Sequence, residues 1–178
     1  MLGREVKDVC STEEALSSVH SLTVLNDVSA RKWQGKKGGG QWSRSKGFDT
    51  FLPAGPCLVH PLDPGIAPAS GGSSAGGSGG RNGGGGGLSD DLALEIKTTV
   101  NGEEMQSSTT DDMIFKISEL IIFLSQGTTL LPGTVLATGT PEGVGYTRKP
   151  PHCLIAGDEV VVSCQGIGSV RNRVVLGR

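Results

Sequence analysis

Apolar residues along this chain recur at alternate positions or in short runs, a pattern that is typical of strands. Leu22–Leu25 is a run of branched apolar residues that predicts a buried strand. The stretch from Leu92 to Val100 alternates apolar and polar side chains and predicts a half-buried strand. Three further strands are predicted at Glu104–Ser107, Glu159–Cys164 and Ser169–Val175.

Helices are predicted in only two places. Ser11, followed three residues later by Glu14, matches a capping box, so a short helix is expected to begin there and to continue to about Val19. Ser118 is predicted to cap a second helix that ends near Gln126. The fold class that follows is mainly β, of the α+β type, with few short helices.

Turn and loop signals separate these elements. Asn101-Gly102 is a strong hairpin signal and favours a type I′ turn. The polar, basic and glycine-containing segment Arg31–Lys46 predicts a mobile surface loop, and Thr138–Gly145 predicts a glycine-rich loop.

Composition adds one feature to this pattern. The chain has 178 residues, of which 29 are glycine. Residues 70–87 are almost entirely Gly and Ser and have little to bury, so we expect a disordered insertion there. Because residues 1–69 hold too little apolar material for a core of their own, we predict a single domain over residues 1–178 with this insertion inside it.

Charge and hydropathy exclude several function classes. A formal net charge of −2 argues against a dedicated nucleic-acid binder. No run of about 18 apolar residues occurs, so no membrane span is predicted. The first residues lack the apolar region of a secretory signal, and the four cysteines are widely spaced. We therefore expect an intracellular protein, cytoplasmic or mitochondrial, with no membrane or nucleic-acid partner.

Three segments combine polar residues and glycine in unusual ways. They are Asn26–Gln34 (NDVSARKWQ), Ser45–Phe51 (SKGFDTF) and Thr138–Gly145 (TGTPEGVG). In this order they resemble the N-D-x-S-A-R-x-x-Q, G-K-S-F-D-T and T-G-T-P-x-G-V-G segments of the fumarylacetoacetate hydrolase (FAH) family. Outside residues 70–87 the resemblance covers nearly the whole chain, and it is greatest to the eukaryotic FAH-domain-containing branch.

The resemblance implies an FAH-type β fold and an enzyme that acts on a small β-keto or 2-oxo acid, such as oxaloacetate or an acylpyruvate. The reaction would be C–C bond hydrolysis, decarboxylation or keto–enol tautomerisation through a metal-stabilised enolate. The implied cofactor is Mg²⁺, or Mn²⁺ or Ca²⁺ in its place. A complete fold of this kind is expected to form a homodimer.

The resemblance also implies roles for individual residues. Asp27 would be a metal ligand. Lys46 and Thr50 would be catalytic, with the lysine supporting negative charge that develops on the substrate. The implied substrate-binding residues are Arg31, Gln34 and Thr140.

One departure from the family pattern leaves two hypotheses open. The family's metal is held by three carboxylates, two of them from a Glu-x-Glu pair that precedes the segment matching Leu2–Val6, and no Glu-x-Glu occurs in this sequence. The first hypothesis is a metal-dependent enzyme. The alternative is a catalytically inactive FAH-like fragment, incomplete at its N-terminus, in which metal binding is weakened. A scaffold or nucleic-acid role for the Gly/Ser tract is disfavoured because the tract holds one arginine, Arg81.

Overall fold

The computed structural model describes residues 1–63, 65–66 and 88–177. The predicted insertion at residues 70–87 lies outside this part of the chain. The described residues form six strands: Leu22–Leu25 (β1), Ala54–Val59 (β2), Glu95–Val100 (β3), Glu103–Thr109 (β4), Glu159–Cys164 (β5) and Gly168–Arg173 (β6). They also form four α-helices: Thr12–Ser17 (α1), Arg31–Gln34 (α2), Trp42–Lys46 (α3) and Ile117–Ser125 (α4).

The strands form two antiparallel sheets. One pairs β1 with β2, and the other has the order β4-β3-β5-β6. Strand β2 lies against β6, and β1 contacts both β5 and β6, so the small sheet sits beside the larger one. This arrangement confirms the predicted class, which was mainly β with few short helices. Within the described ranges no helix has the length and apolar character that a membrane crossing requires.

The hairpin between β3 and β4 forms at the predicted turn. Asn101 and Gly102 both have positive φ, 52° and 83°, as a type I′ turn requires. The Asn101 side chain also donates to Asp158 Oδ1 (2.8 Å) and accepts from the Glu159 backbone N–H (2.9 Å). The turn is therefore fastened to the start of β5.

Two apolar clusters form the core. The larger one lies between the sheets and the segments that flank them, and it includes Val24, Leu92, Leu94, Val100 and Val160. Leu92 and Leu94 precede the first residue of β3, so the alternating pattern correctly predicted burial although the strand begins later. The smaller cluster lies between the N-terminal segment, α1 and α4 and is formed by Leu2, Val6, Val9, Ala15 and Ile121.

Both predicted helices exist, and one begins with a different cap. Ser11 accepts a hydrogen bond from the Glu14 N–H, which confirms the cap of α1. The N-cap of α4 is Lys116, so the prediction that Ser118 caps it was wrong. Ser118 is buried inside the first turn, where its hydroxyl and backbone N–H both bond to the carboxylate of Asp90. A carboxylate from a distant segment thus satisfies the helix start, which local sequence does not reveal.

Arg31–Lys46 was predicted as a mobile surface loop, and the prediction that it lacks helices was wrong. This segment contains α2, a 3-10 turn at Lys36–Gly38 and α3. The Arg44 guanidinium lies over the rings of Trp33 and Phe48, at 5.3 and 4.2 Å from their centroids. Cation–π contacts of this kind stabilise short helices that polar composition alone does not predict.

Candidate functional site

Asp27, Ser29 and Lys46 meet just beyond the end of β1. The strand ends at Leu25, and the next residue, Asn26, donates its N–H to Pro53 O (2.9 Å), which holds the exit from the sheet. The Lys46 ammonium donates to Asp27 Oδ2 and to Ser29 Oγ, the latter at 3.0 Å. The Lys46 and Asp27 side chains are 32% and 43% exposed. An ion pair this open contributes about 0–1 kcal/mol to stability, but it leaves the charges accessible to a ligand.

The backbone brings Lys46 to Asp27 through one hydrogen bond between segments. Ala30 N–H donates to Ser45 O at 2.9 Å, so the start of α2 is joined to the end of α3. Ser45 stands where the FAH-like motif usually has glycine. Its side chain is fully buried and donates to Trp42 O at 2.7 Å. The serine is therefore accommodated inside α3, and Lys46 still reaches Asp27.

Helix α2 supplies a second pair of predicted residues. Arg31 donates to Gln34 Oε1 at 2.5 Å, and its guanidinium lies over the Tyr146 ring at 5.2 Å from the centroid. Tyr146 directly follows the glycine-rich loop Thr138–Gly145. This contact connects α2 to that loop.

The glycine-rich loop is packed against β4. Gly143 has φ +95° and approaches the strand so closely that a Cβ on it would lie 2.1 Å from Met105 O. Arg148 also joins the loop to β4, because it donates to Gly143 O (3.2 Å) and to Met105 O (2.6 Å). Thr140 is exposed, and its hydroxyl accepts from Gln106 Nε2 at 2.9 Å.

Four of the six predicted site residues therefore form two contacting pairs, and the other two lie apart from them. Asp27 contacts Lys46, and Arg31 contacts Gln34. Among the hydrogen bonds of the described residues, none joins Thr50 or Thr140 to either pair. Thr50 lies in an exposed turn with φ 66°, and its catalytic role stays a prediction.

Sequence reasoning missed three residues that organise this region. Ser29 lies inside the first motif, so its place in that motif was an available signal. Gln106 and Tyr146 contact Thr140 and Arg31 from distant parts of the chain. Those contacts depend on how the sheet and the loop are packed, and no local pattern marks them.

The described residues do not form a divalent-cation site by themselves. Within residues 1–63, 65–66 and 88–177, no group of three His, Cys, Asp or Glu side chains converges as a metal site would need. Asp27 is a single carboxylate and is paired with Lys46. Mg²⁺ requires near-octahedral oxygen coordination, which one carboxylate does not define. We therefore assign no chemical step of this chain to a metal ion.

The described residues form a mainly β domain with the Lys46–Asp27 pair at the end of β1 and a glycine-rich loop packed against β4. The family profile described as "Fumarylacetoacetate (FAA) hydrolase C-terminal" matches residues 1–175. The chain belongs to the fumarylacetoacetate hydrolase family, as the three sequence segments predicted.

Several curated relatives with about 40% identity are named for oxaloacetate tautomerase activity. The mitochondrial oxaloacetate tautomerase FAHD2A of Bos taurus is 41% identical over 175 residues, covering 98% of this chain and 48% of that protein. The mitochondrial FAHD2A of Homo sapiens is 39% identical over the same length, again covering 98% and 48%. The chain spans about half the length of the curated relatives it matches.

Solved structures of the family share the fold. A fumarylacetoacetate hydrolase from Exiguobacterium antarcticum superposes with a TM-score of 0.79 at 34% identity, covering 99% of this chain and 54% of that one. A fumarylpyruvate hydrolase from Pseudomonas aeruginosa, solved with Mn²⁺ and pyruvate, superposes with a TM-score of 0.74 at 26% identity. It covers 99% of this chain and 62% of that one. The named relatives thus include hydrolases and tautomerases.

Proposed function

We propose that this chain carries part of the active site of an enzyme that interconverts the keto and enol forms of a small 2-oxo acid, with oxaloacetate as the first substrate to test. The observation that carries the proposal is the contact of Lys46 with Asp27 and Ser29 at the end of β1. The relatives named oxaloacetate tautomerases support the choice of substrate.

The donor groups at this site suit such a substrate. Keto–enol tautomerisation moves a proton from carbon to the keto oxygen, and negative charge develops on that oxygen during the transfer. The Lys46 ammonium has three N–H donors, of which two point to Asp27 and Ser29. Among the described residues no group takes the third donor, so it can bond a substrate oxygen, and a fixed cation there stabilises the developing charge.

Arg31 supplies the complementary carboxylate-binding group. A guanidinium has five N–H donors in a planar fork, and one of them is used by Gln34. The remaining donors suit the two oxygens of a substrate carboxylate. Stacking on Tyr146 holds the plane of the guanidinium.

The experiment follows the decay of enol absorbance after solid oxaloacetic acid is dissolved with and without the protein. We expect acceleration by the wild type and a loss of about 100-fold in Lys46→Met, the size found when one donor to a developing oxyanion is removed. Lys36→Met is the matched control, since Lys36 is an exposed lysine in the neighbouring 3-10 turn and should keep full activity. No acceleration by the wild type, or equal activity of the two variants, would contradict the proposal.

A second candidate is an FAH-like chain without turnover, and the lack of a converging ligand set among the described residues favours it. The enol-decay assay separates the two candidates, and titration calorimetry with Mg²⁺ alone tests the observation that favours the second. A chain whose site holds only Asp27 should bind Mg²⁺ no more tightly than millimolar, because one carboxylate leaves most of the coordination shell to water. A micromolar dissociation constant that is lost in Asp27→Asn would remove the ground for preferring a chain without turnover.

We further propose that the chain self-associates as a homodimer. Apolar side chains around α4 support this, since Ile114 is 89% exposed, Phe115 62% and Phe123 70%. Large apolar groups exposed together are typical of interfaces. Sedimentation equilibrium should give twice the chain mass, and Phe123→Glu should shift the mass to that of the monomer. A wild type that stays monomeric at high concentration contradicts the proposal.

A mitochondrial location is the compartment we propose, because the names of the Bos taurus and Homo sapiens relatives include that word. Fractionation of cells from the source organism, with antibody detection of the native protein, tests it. Recovery only in the cytosolic fraction would show that the proposed compartment is wrong.

A further inference from the structure

Gln106 on β4 lies under the glycine-rich loop and makes two hydrogen bonds to it. Its Nε2 donates to Thr140 Oγ1 at 2.9 Å and to Pro141 O at 2.8 Å. A backbone carbonyl can only accept, so the NH₂ group of the amide must face the loop and both of its protons are used. The chemistry of Pro141 O therefore settles the orientation of the Gln106 side chain.

This orientation also determines what the Thr140 hydroxyl can do. A hydroxyl has one proton to donate, and here its oxygen already accepts from Gln106. The Thr140 proton consequently stays available on the exposed side of the loop. A hydroxyl fixed in this way favours an acceptor with negative charge, such as a carboxylate or an enolate oxygen.

We propose that Gln106 is a positioning residue that makes Thr140 a hydrogen-bond donor toward a carboxylate or enolate oxygen of the substrate. The inference rests on the proposed function, because it needs an anionic ligand at the loop. Gln106 is not needed to dock the loop itself, since Arg148 bonds independently to Gly143 O and Met105 O. Loss of the Gln106 amide should therefore affect ligand binding more than loop placement.

The test is titration of the full chain with oxalate, a planar dianion that resembles the enolate of a 2-oxo acid. Gln106→Met keeps the length of the side chain and removes both donors, so we expect oxalate to bind about tenfold more weakly, as loss of a hydrogen bond to a charged group predicts. Gln106→Glu should weaken binding further, because its carboxylate would accept the Thr140 proton. Gln165→Met is the control, since Gln165 follows the last residue of β5 and its side chain accepts from the Glu95 N–H rather than bonding to the glycine-rich loop.

A double-mutant cycle separates positioning from a merely structural effect. If Gln106 acts through the hydroxyl, Gln106→Met should cause no further loss of oxalate affinity in a Thr140→Val background. Thr140→Ser should keep the wild-type affinity because it keeps the hydroxyl. An equal loss in both backgrounds would overturn the inference, since the amide would then act independently of Thr140.

A measurement on the free protein distinguishes this inference from the proposed function. If the wild type binds no oxalate, the anion-binding part of the proposed function fails, and NMR of the Gln106 side-chain amide tests separately whether Gln106 orients the Thr140 hydroxyl. Thr140→Val should shift one of the two Nε2 protons and leave the one that faces Pro141 in place. If neither proton shifts, Thr140 is not bonded to Gln106 and the inference is wrong.

Discussion

Ser29 is a residue whose hydroxyl we expect to affect turnover more than stability. It accepts from the Lys46 ammonium at 3.0 Å, and that ammonium also contacts the half-exposed Asp27. We expect Ser29→Ala to change the free energy of unfolding by less than about 0.5 kcal/mol, as is usual for a surface site. Turnover of oxaloacetate should fall by about tenfold, because Lys46 loses one of its two fixed partners. Urea unfolding and the enol-decay assay measure the two effects, and a large loss of stability would contradict this prediction.

Asp158 is the residue through which we expect stability to depend on pH. The Ile155 N–H and then the Asn101 amide hold the pKa of this carboxyl below its ordinary value, against a smaller opposing effect of burial. Since the unfolded chain then binds more protons than the folded one at acid pH, this stabilisation is present above about pH 5 and is lost as the pH falls through the folded pKa. In Asp158→Asn the unfolding free energy should decline less steeply below pH 5. Identical slopes in thermal or urea unfolding would show the prediction to be wrong.

For individual residues, the sequence predicted those that stand in continuous motifs. Asp27 and Lys46 were identified from two short segments, and the structure brings them into contact. Gln106 was not identified, because it reaches Thr140 across 34 positions of sequence through the packing of β4 against the loop. Residues that stand in a continuous motif can be identified from the sequence, whereas the residues that contact them from distant segments depend on tertiary structure.

Among the secondary-structure elements, those joined by a turn with a specific local sequence were predicted best. Asn101-Gly102 specifies the type I′ turn between β3 and β4 locally, because both positions tolerate positive φ. Helices α2 and α3 were predicted as loop because they have a polar, glycine-containing sequence. Their stability comes from tertiary contacts, including the bond from Ala30 N–H to Ser45 O. Propensity is a weak guide for elements of this kind.

The glycine-rich loop offers a matched pair of substitutions. Gly139 and Gly143 both have positive φ, but a Cβ would meet nothing within 4 Å at Gly139 and would lie 2.1 Å from Met105 O at Gly143. Gly139→Ala should cost about 1 kcal/mol of backbone strain, and Gly143→Ala should cost about 3 kcal/mol or detach the loop from β4. Urea unfolding together with hydrogen exchange of the loop amides measures both. Equal losses of stability in the two variants would mean that Gly143 is not needed for close packing against Met105.

At the scale of the whole molecule, one core takes residues from both sides of the undescribed segment. Val24 and Ile66 precede that segment, and Leu88, Leu92 and Val160 follow it, yet all five belong to one buried cluster. A chain divided into two domains at residues 70–87 would place these groups in separate cores. On the basis of this shared cluster we propose the single-domain organisation that the composition predicts.

The same reasoning predicts the effect of shortening the chain between Ile66 and Leu88. If residues 70–87 form an insertion that buries nothing, replacing them with a short Gly-Ser linker removes no contact from the core. Closing a loop costs about 0.6 kcal/mol for each doubling of its length, so the shortened variant should be as stable as the wild type or more stable by about 1 kcal/mol. The urea midpoint of the shortened variant measures its stability, and its enol-decay activity shows whether the site still functions. With a linker long enough to span from Ile66 to Leu88 without strain, a clear loss of stability would show instead that residues 70–87 contribute contacts to the fold.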